Sequence, residues 1–111
     1  MKSKLIVLVV LVFAACVLAA SNQPTEVKPV PVKMDGFRFT PQKITIERGT
    51  TVEWTNIGKE THTVTDEHGA WDSGDLETGK SFSHRFDEPG TFAYYCVPHR
   101  DNGMTGTIIV K

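Results

Sequence analysis

Cysteine is nearly absent: the 111 residues hold two, Cys16 and Cys96, and the first lies in an N-terminal apolar run. A disulfide framework is excluded, so a packed core or a bound group must hold the chain together. Excess charge of either sign is also missing, with a formal net charge of -1. Without Lys2 and Lys4 the twelve basic residues fall to ten against thirteen acidic ones, or about -3. That excludes the polybasic surface of a nucleic-acid-binding protein. Beyond the N-terminus no stretch of useful length carries the 3.6-residue period of an amphipathic helix. Nor does the sequence offer a nucleophile beside a base or a paired-carboxylate site, so enzymatic function is not expected.

The only long apolar run is at the start. Lys2 and Lys4 precede the apolar residues 5–13, and small residues occupy 14–20. Residues 1–20 therefore read as a secretory signal peptide, too short in its apolar part to prefer a spanning helix. Cleavage is expected after Ala19 or Ala20, which places the protein outside the cytoplasm, in a periplasmic or other extracytoplasmic compartment. Phe13-Ala14-Ala15-Cys16 also resembles a bacterial lipobox, although Val17-Leu18 after the cysteine is less polar than lipoproteins usually are. Lipidation at Cys16 is the one route by which this chain would be tethered to a membrane. Residues 21–31 contain Pro24, Pro29 and Pro31 and read as an extended lead or tether. Export leaves Cys96 as a lone thiol in an oxidising compartment, and a metal is its simplest occupant.

From Val32 onward the pattern is that of half-buried strands. Phe37 and Phe39 share one parity, Pro41 breaks the run, Ile44 and Ile46 alternate with polar residues, and Gly49 turns the chain. Val52 and Trp54 follow, then the turn Asn56-Ile57-Gly58; Phe82, His84 and Phe86 share a parity, as do Phe92, Tyr94 and Cys96. About seven short strands with Gly and Pro at their ends predict a single antiparallel β-sandwich domain over 32–111. Residues 66–80 lack alternation and read as a loop crossing between the sheets, with Trp71 and Leu76 anchored in the core.

Metal-binding side chains concentrate near the C-terminus. In Cys96-Val97-Pro98-His99-Arg100-Asp101-Asn102-Gly103-Met104 a thiol, an imidazole and a thioether fall within nine residues, between two strand-like runs. A turn there folds all three toward one point. His62 lies far upstream, in Thr61-His62-Thr63-Val64-Thr65, on the inward parity of Val64. Any one of these residues alone reads as structural: a buried thiol, a strand histidine, a core methionine. Together, two imidazoles, a thiolate and a weak thioether form the donor set of a blue-copper electron-transfer site. Zinc would accept His62, His99 and Cys96 but leaves Met104 unexplained. His84, between two phenylalanines, reads as structural. His68 reads as solvated, with Asp66 or Glu67 its only candidates for an adventitious metal.

Cys-x-x-His-x-x-x-x-Met with an upstream histidine resembles the plastocyanin-like small blue copper proteins, the cupredoxins, from Met34 to Lys111. The resemblance implies a Greek-key β-sandwich and one type 1 copper per chain. His62, Cys96 and His99 would be the equatorial ligands and Met104 the axial one. It also implies a monomer that shuttles single electrons between redox partner proteins. Two exit routes are implied, through the edge of His99 and through Tyr95. Copper binding or delivery without electron-transfer duty is the alternative, separable by reduction potential and self-exchange rate. The pattern departs from the family at Thr63, where plastocyanins usually carry an asparagine that ties the two ligand-bearing loops together. That task falls here to the threonine hydroxyl and backbone N–H.

Overall fold

The computed structural model describes residues 28–111; the expected signal peptide at 1–20, with Cys16, and most of the expected lead lie outside the described residues. Eight strands follow in order: β1 Val30–Asp35, β2 Arg38–Thr40, β3 Lys43–Ile46, β4 Thr50–Asn56, β5 Thr65–Asp66, β6 Ser81–Phe86, β7 Gly90–Tyr95 and β8 Thr105–Val110. They build two four-stranded sheets, β2-β1-β4-β6 and β3-β8-β7-β5. The all-β sandwich expected from alternation is the fold, and the helical structure among the described residues is the 3₁₀ turn Arg100–Asn102.

Each sheet is mixed rather than antiparallel throughout. β1 runs parallel to β4, with Val32 opposite Trp54, and β3 runs parallel to β8, with Ile44 opposite Ile108. Strands joined by tight turns must be antiparallel, but β4 reaches β1 only after the chain has visited the other sheet as β3. The segment 36–49 is long enough for that crossover, so β4 enters from the same end as β1. β1 also begins at Val30, two residues ahead of the expected boundary, and includes Pro31. β2 pairs only with Lys33–Asp35, so at Pro31 the strand has a free edge where a missing N–H costs nothing.

The core lies between the sheets. Alternation along β4 buries Val52 and Trp54, and along β8 it buries Gly106, Ile108 and Val110. Trp54 is the hub, with the rings of Trp71, Phe82, Phe86 and Tyr94 at centroid distances of 5.4 to 6.4 Å. Trp71 and Leu76 are both buried, so the loop after β5 is anchored as expected. Tyr94 lies directly opposite Gly106 in the β7–β8 register, and its ring covers the space a side chain there would take. Burial pushes the Tyr94 hydroxyl up to about 12, so it stays neutral.

Phe37 departs from its expected place. It stands in the Gly36-Phe37 turn between β1 and β2, 47% exposed, while Phe39 is buried in the core. The turn breaks the two-residue period, so the shared parity of the two phenylalanines does not carry across it.

Candidate metal centre

The end of the sandwich where β7 leaves for β8 holds the predicted donors. Cys96 follows β7 directly, and its N–H donates to the Met104 carbonyl at 3.0 Å, closing the loop just before β8. Inside it the His99 N–H donates to the Cys96 carbonyl at 3.3 Å, and the Met104 N–H to the His99 carbonyl at 3.3 Å. Gly103 ends the 3₁₀ turn in the left-handed region at φ 78°, which brings Met104 back under the loop. His62 arrives from the opposite side. Its backbone pairs with Leu76 through two hydrogen bonds of 2.7 and 3.1 Å. The preceding turn is bolted by Asn56, whose Nδ2 donates to the Glu60 and Leu76 carbonyls while its Oδ1 accepts from Gly58 N–H. The turn at Asn56 was legible in the sequence; the long-range bond to Leu76 was not.

His62, Cys96 and His99 bring one donor atom each to within 4.8 Å of one another. Among the described residues no other group of three or more His, Cys, Asp or Glu does so. His62 Nδ1 lies 3.6 Å from Cys96 Sγ, and His99 Nδ1 lies 3.5 Å from it. A metal bonded at about 2.0 Å to nitrogen and about 2.3 Å to sulfur, with about 110° between the bonds, needs roughly 3.5 Å between those atoms. The spacing therefore fits one small metal ion held by all three. His62, Cys96 and Met104 are fully buried, and His99 is half-buried.

Burial sets the protonation of the centre. It lowers the His62 pKa, with the neighbouring His99 adding to the effect, so the imidazole is neutral and free to ligate. Burial also pushes the Cys96 thiol up, opposed by the hydrogen bond from Thr63 N–H at 3.4 Å. A metal entering the site must displace that thiol proton.

Thr63 does what the departure from asparagine left open. Besides its N–H on the sulfur, its Oγ1 accepts from Val97 N–H at 2.8 Å, tying the two ligand-bearing segments together.

Comparison with known proteins places the chain. Residues 26–111 match the copper binding proteins of the plastocyanin/azurin family. The chain belongs to that family. This cupredoxin is 34% identical to the plastocyanin of Nostoc punctiforme, over 96% of this chain and 87% of the relative. It is 39% identical to the halocyanin of Natronomonas pharaonis, over 69% of this chain and 50% of the relative. Among solved structures, the oxidised plastocyanin of Dryopteris crassirhizoma is 29% identical with a TM-score of 0.65, covering 74% of this chain and all of that one. Copper is the metal of the family, and a soft thiol, two imidazoles and a buried methionine on the same loop suit it.

The remaining sequence readings divide. His84 stacks on Trp71 at 5.2 Å and meets the edge of Phe86 at 4.7 Å, a packing role as expected. His68 is exposed, and Asp66 Oδ2 accepts from the His68 and Ala70 backbone N–H groups. Tyr95 is half-buried rather than open. The Arg100 guanidinium lies 4.2 Å above its ring and is held by Glu67 at 3.0 Å.

Proposed function

We propose that this cupredoxin is an exported single-electron carrier. His62, Cys96 and His99 would hold one copper, with Met104 as a fourth, weaker donor. The observation that carries this reading is the pair of sulfur–nitrogen separations, 3.6 and 3.5 Å, on a closed and buried loop. Bound copper supplies a Cu(II)/Cu(I) couple. The chain supplies everything else. Cys96 is pinned through its own N–H and through Thr63, His62 by Leu76, and His99 by its bonds within the loop. Donors fixed in this way leave little room for rearrangement between oxidation states.

The surface favours the His99 edge as the exit for electrons. Phe37 lies over the His99 ring at 4.8 Å. Phe37, Ile57 and Val97, 47%, 50% and 53% exposed, stand on turns that flank the metal site, and Pro98 is exposed beside them. An apolar collar around one ligand suits transient docking of a redox partner protein to a monomer. Tyr95, by contrast, has one face under Arg100. Pro98→Glu is expected to slow bimolecular electron transfer about tenfold or more by charging the collar, while Tyr95→Leu changes it less than about threefold. Stopped-flow oxidation by a small redox protein reads both rates, and the reverse ranking would reject the histidine route.

The ligand set is tested most directly at Met104. A thioether stabilises Cu(II) more than Cu(I), and Met104→Leu keeps volume and apolarity while removing that donation. A differential stabilisation of about 1–2 kcal/mol corresponds to a potential raised by roughly 45–90 mV for a one-electron couple. The intense absorption of the oxidised protein, which belongs to Cys96, is expected to survive. Voltammetry of the two proteins at one pH gives the answer. An unchanged or lowered potential removes Met104 from the ligand set, and a colourless wild-type copper complex ends the blue-copper reading altogether.

A further inference from the structure

The Thr63 hydroxyl is not the end of its hydrogen-bond chain. Thr63 Oγ1, which accepts from Val97 N–H, lies 2.9 Å from Thr65 Oγ1, and Thr65 Oγ1 donates to Asp72 Oδ1 at 3.1 Å. A hydroxyl owns one proton. Thr65 commits its own to Asp72, so the donor between the two threonines must be Thr63. All three bonds then run one way, from Val97 N–H to Thr63, from Thr63 O–H to Thr65, and from Thr65 O–H to the Asp72 carboxylate.

The chain is built rather than incidental. Both threonines are buried, while Asp72 stands at the surface. Thr65 and Asp72 form an antiparallel bridge, flanked by Ser73 N–H on the Val64 carbonyl at 2.9 Å and Val64 N–H on Ser73 Oγ at 2.8 Å. Asp72 Oδ1 is held in place by Gly74 N–H at 3.0 Å. A carboxylate at the end of a hydroxyl chain makes the last bond charge-assisted and polarises those behind it.

We propose that Thr65 and Asp72 are positioning residues for the metal centre. They fix the direction of the Thr63 hydroxyl, and through it the Val97 amide next in sequence to Cys96. Without the carboxylate the Thr65 O–H is released to donate toward Thr63 instead, and the Thr63 hydroxyl is free to turn. Val97 N–H then loses its settled acceptor, and the segment carrying the sulfur relies on the bonds of Cys96 itself, its N–H to Met104, its carbonyl from His99 N–H and its sulfur from Thr63 N–H.

The test has a metal-free arm and a copper arm. In the metal-free protein, Thr65→Val and Asp72→Ala are expected to speed amide exchange at Val97 about tenfold, the worth of one lost hydrogen bond. Trp54 and Ile108 N–H, at the centres of the two sheets, should keep their protection. Thr65→Ser and Asp72→Asn retain the needed proton or acceptor and should leave Val97 protected. In the copper-loaded protein the first two variants are expected to shift the sulfur-to-copper absorption band and the last two to restore it. That arm rests on the copper reading above, whereas the exchange arm does not, so a wild type without colour would sink the former and leave the relay to be judged by exchange. Unchanged Val97 exchange in Asp72→Ala, at an exposed position that does not endanger folding, overturns the relay. Faster exchange with an unmoved absorption band overturns the positioning role and leaves a purely structural bond.

Discussion

Cys96→Ser is expected to abolish both the blue colour and the copper-dependent stability of the protein while leaving the metal-free fold in place. Cys96 is fully buried and supplies the only thiol among the described residues. Serine keeps the volume nearly unchanged, and Thr63 N–H, which already points at the sulfur, is available to the new hydroxyl. The loss in the metal-free state should therefore stay within about 1–2 kcal/mol, at the low end for burying a hydroxyl with partial compensation. Copper binding is another matter. At a thousand times its Kd, a ligand of the folded state adds about 4 kcal/mol of stability. In a domain of this size that raises Tm by roughly 15–30 °C. The wild type should show this shift and the serine variant should not, since oxygen is a poor replacement for a thiolate toward a soft metal. Absorption spectra and thermal melts with and without Cu(II) measure both effects. A serine variant that stays blue, or that still gains the full thermal shift, would show that the metal is held elsewhere.

Gly106→Ala should be the most damaging single-methyl change in the sandwich. A Cβ at Gly106 would overlap the Tyr94 ring and hydroxyl, well inside van der Waals contact. The ring cannot easily withdraw, because Phe39 packs against it at 4.7 Å and Trp54 at 5.4 Å. Overpacking of a tight core costs about 1–3 kcal/mol and sometimes more. With a large ring as the obstacle, about 3 kcal/mol or above is expected. The damage should reach the metal centre, since Tyr94 lies two residues before Cys96 on the same strand face. Urea denaturation of the metal-free protein gives the stability. The double variant with Tyr94→Leu isolates the cause, because removing the ring should return part of the loss as a coupling energy. Equal stability of Gly106→Ala and wild type would contradict the packing described here.

The sandwich and the donors were legible because both signals are local. Alternation at Val52-Trp54 and Ile108-Val110 follows from the pleat, which sends successive side chains to opposite faces wherever the strand later pairs. The spacing from Cys96 through His99 to Met104 is likewise a property of one short loop, and the parity of His62 with Val64 pointed it inward. Pairing was less legible. Alternation says that β1 and β4 each have a buried face but not that they are neighbours, and their parallel register depends on the crossover through β3.

What the sequence by itself determined, then, is the fold class, the four candidate donors and the loop that gathers three of them, all set by residue type and short-range spacing. Tertiary structure alone decided the rest. Phe37 reads as a strand residue until the β1–β2 turn sets its ring over His99. Tyr95 reads as an open exit until Arg100, drawn to Glu67 across the loop, covers its face. Thr63 reads as a loss relative to asparagine until Val97 on one side and Thr65 and Asp72 on the other give its hydroxyl a direction. Each of these depends on contacts between segments distant in the chain. Such contacts are selected by how the two sheets pack, and no window of neighbouring residues contains that information.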